Sequence, residues 1–388
     1  MCSFMLVIIY IAFISLGLPD SLLGSGWPVI HSDLSVPLSY AGIVSMLISG
    51  GTIASSLMSD RLTRKLGTGR VTAVSVLLTA AALFGFSISD KFVMLCLWAI
   101  PYGLGAGAID AALNNYVALH YSSRHMSWLH CFWGVGTIVS PYVMSYFLTQ
   151  GGNWQGGYRC VSFIQIAITI LLFVTLPLWK KVNKTADSEE VAPNPLSLGQ
   201  ALSIKGVKPL LTGFYAYCAA EATVMLWASS YLVSVKGISA ETAAAFASLF
   251  FIGITAGRFI SGIFSEKVGD RTLIRVGAAV ITFGIVLILL PLKTSALSLT
   301  GLIVIGLGCA PIYPSIIHST PYNFGKENSQ SIIGIQMASA YVGSTFMPPV
   351  FGLIANHISI KLFPVYLTVF VALMLAMTES VNRIVADK

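Results

Sequence analysis

Long apolar runs separated by short polar stretches occupy almost the whole chain. Twelve runs are long enough to cross a bilayer as helices, which takes about 20 mostly apolar residues each. They lie near residues 4–30, 38–58, 71–88, 92–121, 128–149, 159–179, 209–234, 242–264, 272–291, 296–318, 331–355 and 363–380. Because they are apolar on every side, without the alternation of a barrel strand, the pattern predicts an all-α integral membrane protein with twelve transmembrane helices.

The longest polar stretch divides the predicted spans into two sets of six. We therefore expect an N-terminal half at 1–180, a cytoplasmic linker at 181–208 and a C-terminal half at 209–388. A weak repeat supports this division, because Ser59-Asp-Arg-Leu-Thr-Arg-Lys after span 2 is similar to Ser265-Glu-Lys-Val-Gly-Asp-Arg after span 8. Two pseudo-symmetric six-helix halves are typical of secondary transporters.

Composition agrees with a membrane protein, since the chain is 56% hydrophobic and only 10% charged, against about 25% charged in soluble domains. The net charge of +7 arises mainly from Lys and Arg in the loops after spans 2, 4, 6, 8 and 10 and near the C-terminus. Loops rich in these residues stay cytoplasmic, so both termini are expected inside the cell. The charge therefore indicates topology and removes nucleic acid as a partner.

Motifs of other chemistry are missing from the sequence. The six cysteines are scattered through apolar runs without the spacing of a metal site or a disulfide framework. The chain has no phosphate-binding loop, nucleophile triad or metal cluster, so we expect no enzyme activity, no metal and no cofactor. The first apolar run is longer than a signal peptide and is interpreted as a retained span.

Three carboxylates fall inside predicted spans: Asp20, Asp110 and Glu221. A charge at mid-membrane is costly, so such residues usually face the bundle interior and take part in function. Burial disfavours the charged form, so these groups could bind and release a proton. Structural alternatives are an interhelical hydrogen bond for Asp110, a contact at the Pro19 kink for Asp20, and an inter-half lock for Glu221.

Asp110 lies in Gly103-Leu-Gly-Ala-Gly-Ala-Ile-Asp-Ala-Ala-Leu-Asn-Asn115. Asp110 and Asn114 are four residues apart and would share one helix face. Gly103 and Gly107 lie on roughly the same side, which leaves room for a close neighbour or a ligand. This face is the strongest candidate site in the first half.

Charged residues near helix ends are interpreted as gating residues. The gating set is Asp60, Arg61, Arg64, Lys65, Arg258 and Glu266. The four residues after span 2 are expected to form a latch between helix ends. Arg258 is expected to snorkel or to join an interhelical network, with Glu266 as its partner. His130 is interpreted as a packing histidine, with proton relay as the alternative.

Several segments resemble the major facilitator superfamily. The loop Asp60-Arg-Leu-Thr-Arg-Lys65 is similar to its signature loop, although Ser56 stands where the family has glycine. Asp110 with Asn114, the run Trp128-Leu-His-Cys-Phe-Trp-Gly-Val-Gly136 and the run Gly306-Leu-Gly-Cys-Ala-Pro-Ile-Tyr-Pro314 resemble motifs of its fucose–galactose–glucose:proton symporter group. Asp20 matches an acid of the fucose permease, and the resemblance covers the whole chain.

The resemblance implies proton coupling and sugar binding by Asp110 and Asp20, with Asp110 as proton carrier and Asp20 as the substrate-linked acid. Sugar hydroxyls bind amides and carboxylates, and pyranose C–H faces stack on aromatic rings. The candidate substrate-binding residues are Asp20, Trp27, Asn114, Asn115, Trp133, Glu221, Trp227, Gln336 and Tyr341. For each aromatic residue, helix packing or an interface belt is the alternative.

We therefore expect a secondary transporter that takes up a neutral monosaccharide, such as a hexose, together with protons. It would work by alternating access, as a monomer in the lipid bilayer of the plasma or inner membrane, with Na⁺ still open as the coupling ion. A proton-coupled exporter of drugs or amphipathic solutes is the main alternative. A non-transporting sensor or scaffold is a third, and the lack of an appended soluble domain counts against it.

Overall fold

The computed structural model describes residues 2–150, 153–179, 195–238, 240–290 and 295–386. Every regular element in these ranges is helical. The α-helices are α1 Cys2–Asp20, α2 Leu22–Asp33, α3 Ala41–Leu66, α4 Thr68–Ser87, α5 Phe92–His120, α6 Ser123–Gln150, α7 Trp154–Val174, α8 Leu198–Ser203, α9 Val207–Lys236, α10 Ala240–Val268, α11 Asp270–Leu289, α12 Ser295–Cys309, α13 Ile312–Phe324, α14 Lys326–Ile354 and α15 Phe363–Ala386.

The predicted all-α architecture of twelve membrane helices is confirmed. Ten segments among the described residues are long and apolar enough to cross a membrane, and the last of them contains both α14 and α15. The helix α10 adds a further 29 residues of predominantly apolar sequence. The twelve predicted spans thus correspond to these helices, with boundaries shifted by several residues.

Two of the predicted spans are each built from two helices. Span 1 consists of α1 and α2, which meet at Ser21, two residues after Pro19. Span 10 consists of α12 and α13, which are separated at Ala310 and Pro311. Proline lacks a backbone N–H and its ring crowds the preceding turn, so it interrupts a helix at these positions. A kink at Pro19 is expected from the sequence, whereas the apolar pattern continues across the break between α12 and α13 and does not show it.

The predicted linker is partly outside the described residues, which exclude 181–194. Its remainder contains the short helix α8. Ser197 caps this helix: its hydroxyl accepts from the backbone N–H of Gln200, and the Gln200 side chain accepts from the Ser197 N–H in return. This reciprocal pair satisfies two N–H groups that a helix start leaves unpaired.

The chain forms two compact units. Unit 1 comprises Met1–Tyr116, Phe132–Pro195 and Lys326–Ala338, and unit 2 comprises Val117–Cys131, Leu196–Gly325 and Ser339–Lys388. Each unit therefore consists mainly of one half of the sequence together with a short segment from the other half. The segment 117–131 covers the end of α5 and the start of α6, and 326–338 covers the start of α14.

Close helix contacts recur in the two units. In unit 1, Gly51 of α3 lies against Ile100 and Leu104 of α5, where an added Cβ would be 3.1 Å from the Ile100 oxygen. In unit 2, Gly253 of α10 lies against Ile303 and Leu307 of α12, at 2.8 Å from the Ile303 oxygen. Small residues at such crossings let membrane helices approach closely.

Candidate functional site

The carboxylate of Asp20 lies at the end of α1 and accepts two hydrogen bonds within unit 1. The hydroxyl of Tyr102 on α5 donates to Oδ1 at 2.9 Å. The indole Nε1 of Trp133 on α6 donates to Oδ2 at 2.9 Å. Asp20 is exposed, whereas Tyr102 is buried. Two of the predicted substrate-binding residues, Asp20 and Trp133, thus contact each other directly. Tyr102, which the sequence did not point to, also binds Asp20.

Both donors to Asp20 are neutral, and among the described residues no cation pairs with its carboxylate. An ionised carboxylate offers about four lone-pair sites, of which Tyr102 and Trp133 use one on each oxygen. The remaining acceptor sites belong to an exposed side chain. Asp20 is therefore oriented by its neighbours and still able to accept hydrogen bonds from hydroxyl groups of a solute.

Asp110 occupies a different environment, in the middle of α5. It is buried at 4% exposure, and Asn114 Nδ2 donates to its Oδ1 at 2.8 Å and to its backbone oxygen at 3.0 Å. The two side chains share a helix face, as their spacing predicts. One turn earlier, Ser56 of α3 donates to the Gly107 carbonyl at 3.2 Å. The space beside the glycines is therefore filled by α3.

Ser56, where the superfamily loop has glycine, is fully buried and packs between two partners in unit 1. Its hydroxyl bonds the Gly107 carbonyl, and an added Cβ on Gly334 of α14 would meet the Ser56 carbonyl at 2.5 Å. A small side chain fits this crossing and supplies a hydrogen bond as well. The departure from the family pattern is thus compatible with close packing.

Three consecutive residues at the start of α14, Ser329, Gln330 and Ser331, bind the polar end of α3 and α5 in unit 1, and we call them the α14 clasp. Ser329 donates to Asn115 Oδ1 at 2.6 Å. Gln330 donates to Ser59 at 2.7 Å, and Ser331 donates to Asp60. Asn115 is predicted to bind substrate, and in the structure its side-chain oxygen accepts the hydrogen bond from Ser329.

The predicted gating residues after span 2 divide into two kinds. Asp60 is buried and pairs with Arg64, whose Nε lies 2.6 Å from Oδ1. Arg61 and Lys65 are exposed. Asp60 thus pairs with the permanent positive charge of Arg64 and accepts a hydrogen bond from the hydroxyl of Ser331. The contact with Ser331 holds the start of α14 against α3.

In unit 2, Arg258 of α10 pairs with Glu221 of α9, with Nη2 and Oε1 3.6 Å apart, and its Nη1 donates to the His130 carbonyl at 3.4 Å. This corrects the predicted pairing of Arg258 with Glu266, which instead binds Arg124 at 2.8 Å. Eight residues separate Arg258 from Glu266 on one helix, or roughly 12 Å along its axis, which is too far for an ion pair.

The remaining predicted substrate-binding residues are buried or half-buried. Trp27 is buried in the hydrophobic core of unit 1, and its Nε1 donates to the Leu38 carbonyl at 2.7 Å, so its ring presents no free face in this structure. Trp227 donates to the Pro348 carbonyl at 2.9 Å in unit 2. Gln336 is fully buried and Tyr341 is half-buried.

Membrane helices with carboxylates at mid-span, bound by neutral donors or by one buried arginine, are features of a polytopic membrane transporter. The sequence profile of the Major Facilitator Superfamily matches residues 9–348 and 237–381. The chain belongs to this superfamily. The family resemblance in the sequence is thereby confirmed, and the protein is a transporter rather than an enzyme.

Three known proteins illustrate its similarity. The uncharacterized transporter y4wD of Sinorhizobium fredii is 24% identical, over 89% of this chain and 90% of its own length. The glucose/mannose transporter GlcP of Bacillus subtilis is 19% identical, over 96% of this chain and 94% of its own. A crystal structure of a variant of FucP, the E. coli fucose:proton symporter, superposes with a TM-score of 0.74 at 14% identity, covering 98% of both chains. At that identity the superposition shows the shared fold.

Proposed function

We propose that this transporter takes up a neutral monosaccharide together with protons, by alternating access of its two halves. The observation that carries the proposal is Asp20, an exposed carboxylate oriented by Tyr102 and Trp133 and suited to accept hydrogen bonds from sugar hydroxyls. The names of two similar proteins, a glucose/mannose transporter and a fucose:proton symporter, support the same solute class and coupling ion.

The two carboxylates of unit 1 would divide the work. Asp20 is open and would bind the solute, whereas Asp110 is buried beside Asn114 and would carry the proton. With Asp110 protonated, the site loses a charge that is costly to move through a closed, low-dielectric state. Release of the proton on the other side would then reset the transporter.

The buried ion pair of unit 2 favours a neutral solute over an anionic one. Arg258 is the positive side chain in the middle of its helix, and Glu221 lies beside it at 3.6 Å. A carboxylated sugar would have to compete with Glu221 for the guanidinium. A neutral sugar leaves the pair intact, and breaking such a pair costs several kcal/mol, about 3–5.

We further infer that the protein lies in a cell membrane with the basic loops after spans 2, 4, 6, 8 and 10 on the cytoplasmic side. We also infer that it acts as a monomer and that its coupling ion is H⁺ rather than Na⁺. The loop composition supports the orientation, because Lys and Arg are retained on the cytoplasmic side. The neutral donors around Asp20 support the choice of ion, since a Na⁺ site would need several oxygen ligands there.

Uptake into proteoliposomes tests the proposal. Purified protein would be given a panel of radiolabelled hexoses, with hexuronates and lipophilic cations as competitors, under an imposed pH gradient or Na⁺ gradient. We expect accumulation of at least one neutral hexose under the pH gradient alone. Transport of lipophilic cations in the opposite direction to protons, with no hexose uptake, would instead identify an exporter.

A further inference from the structure

A histidine in the middle of α13, His318, lies between two oxygen atoms in unit 2. Nδ1 of His318 is 2.6 Å from Oδ2 of Asp270, the first residue of α11. Nε2 of the same ring is 3.3 Å from the backbone oxygen of Tyr121, just after α5. The His318 side chain is 22% exposed and that of Asp270 is 16% exposed, so water has access to both.

The chemistry of the two oxygens defines the protonation state that fits this geometry. A carboxylate and a backbone carbonyl only accept hydrogen bonds. A neutral imidazole has one N–H, and its other nitrogen would direct a lone pair at an oxygen. Only the doubly protonated ring donates to both, and the hydrogen bond to the carboxylate is then charge-assisted.

The other groups near Asp270 and His318 are a hydroxyl, an ion pair and a second histidine. The hydroxyl of Ser123, at the start of α6, donates to Oδ1 of Asp270 at 2.5 Å. Nearby, Arg124 of α6 and Glu266 of α10 pair with each other at 2.8 Å. The ring of His125 packs against Tyr121 with centroids 5.7 Å apart. Among the described residues, Asp270 is the charged side chain that contacts His318, and Arg271 and Lys267 flank Asp270 in sequence.

We propose that His318, Asp270 and the Tyr121 carbonyl form a proton-binding site, separate from Asp20 and Asp110. The bound proton joins α11 and α13 to the segment after α5. When it leaves, His318 keeps one N–H and loses one of its two contacts. The acid contact of Asp60 in unit 1 is of another kind, because Asp60 is held by Arg64, which stays charged at all physiological pH values. The site in unit 2 is held by a histidine and therefore responds to pH through His318, whatever solute is carried.

Thermal unfolding of the full chain in detergent, followed by its tryptophan fluorescence between about pH 5 and pH 8.5, tests the proposal. The variants are His318→Gln, which keeps a polar side chain but cannot hold the charge, and His357→Gln as a control at an exposed histidine. The folded contact binds a proton, so its stabilising effect is present at low pH and disappears as pH rises. We expect wild type and His357→Gln to exceed His318→Gln in Tm by about 2–4 °C at low pH, with the difference vanishing at high pH.

A Tm difference that is equal at all pH values would overturn the proposal, since a merely structural contact gives that result. A second measurement does without the His318 variant, should that variant fail to fold. Selective ¹⁵N labelling of histidine reports both ring nitrogens by NMR. We expect the histidine whose signal is broadened or shifted in Asp270→Asn to be doubly protonated at low pH and to become neutral as pH rises. Finding that histidine singly protonated at about pH 5.5 would also overturn the proposal.

Discussion

Asp20 receives its hydrogen bonds from residues 82 and 113 positions away in the sequence, Tyr102 and Trp133. Neither spacing has a signature that could be recognised in the chain. Trp133 could be named because it lies in a motif with other aromatic residues, but its ring was expected to stack on a sugar, and its indole N–H binds the carboxylate. The sequence signal that could have pointed to Tyr102 is its place at mid-span, between Pro101 and Gly103.

Replacing Tyr102 with phenylalanine should impair transport while leaving the fold intact. The change removes the hydroxyl that orients Asp20 and little else, and a hydrogen bond to a charged group contributes about 1.5–3 kcal/mol. We expect kcat/KM for the transported hexose to fall about tenfold or more, mainly through KM. Initial rates of uptake into proteoliposomes measure this.

The matched control is Tyr158→Phe, because the Tyr158 hydroxyl is buried and has no hydrogen-bond partner within the described residues. That variant should retain nearly wild-type kinetics. Equal losses in the two variants would mean that the Tyr102 hydroxyl has no special part in orienting Asp20.

Asp110→Asn should separate proton coupling from solute movement. Asparagine has nearly the same shape and cannot titrate, so the proton-dependent step is lost while a neutral site remains. We expect accumulation driven by a pH gradient to disappear, and exchange of labelled for unlabelled solute to persist. Asp90→Asn, at an exposed loop position, serves as the control. Intact accumulation in Asp110→Asn would remove this residue from the coupling mechanism.

At the scale of elements, hydropathy locates the helices well. A segment in lipid must pair its own backbone groups as a helix, so whether it spans the membrane depends on the residues of that segment. Hydropathy fails at the break between α12 and α13, where apolar residues lie on both sides. Hydropathy also gives no indication of the α14 clasp. Ser329 and Ser331 look like other polar residues in the sequence, and only the fold places them beside Asn115 and Asp60.

The close crossing of α3 and α5 gives a stability prediction. A Cβ at Gly103 would overlap the Ile48 carbonyl, and the helices would have to separate. Forcing extra volume into a packed contact costs about 1–3 kcal/mol. We expect Gly103→Ala to lower the Tm in detergent by several degrees. Gly50→Ala is the matched control, because nothing lies within 4 Å of its added Cβ; similar losses in both would contradict the packing argument.

At the scale of the whole molecule, the internal repeat is stronger in structure than in sequence. The similarity of the segments 59–65 and 265–271 indicates it only weakly. Gly67 and Gly269, which follow these helices, have φ of 79° with ψ of 151° and 153°, a backbone conformation that glycine adopts readily. Gly51 and Gly253 make equivalent close contacts with α5 and α12. Backbone geometry thus retains the relation that the side chains have largely lost.

The proposed orientation predicts which loops can be labelled from outside intact cells. Lys65, in the last turn of α3, and Lys91, just after α4, are both exposed and lie at opposite ends of α4. In a background without cysteine, a membrane-impermeant maleimide should label Lys91→Cys and leave Lys65→Cys unlabelled until the cells are opened. The reverse pattern would invert the topology, and with it the side on which the His318 site meets solvent.

The sequence by itself determined the class of fold, the number of membrane helices and the three carboxylates at mid-span, because hydropathy and the cost of a buried charge are properties of short segments. Only the tertiary structure decided which side chains those charges meet. Arg258 binds Glu221 on another helix rather than Glu266 on its own, and Asp20 meets Tyr102 and Trp133. Such pairings depend on the rotation of each helix about its axis and on which helices are neighbours, and both follow from packing across the bundle.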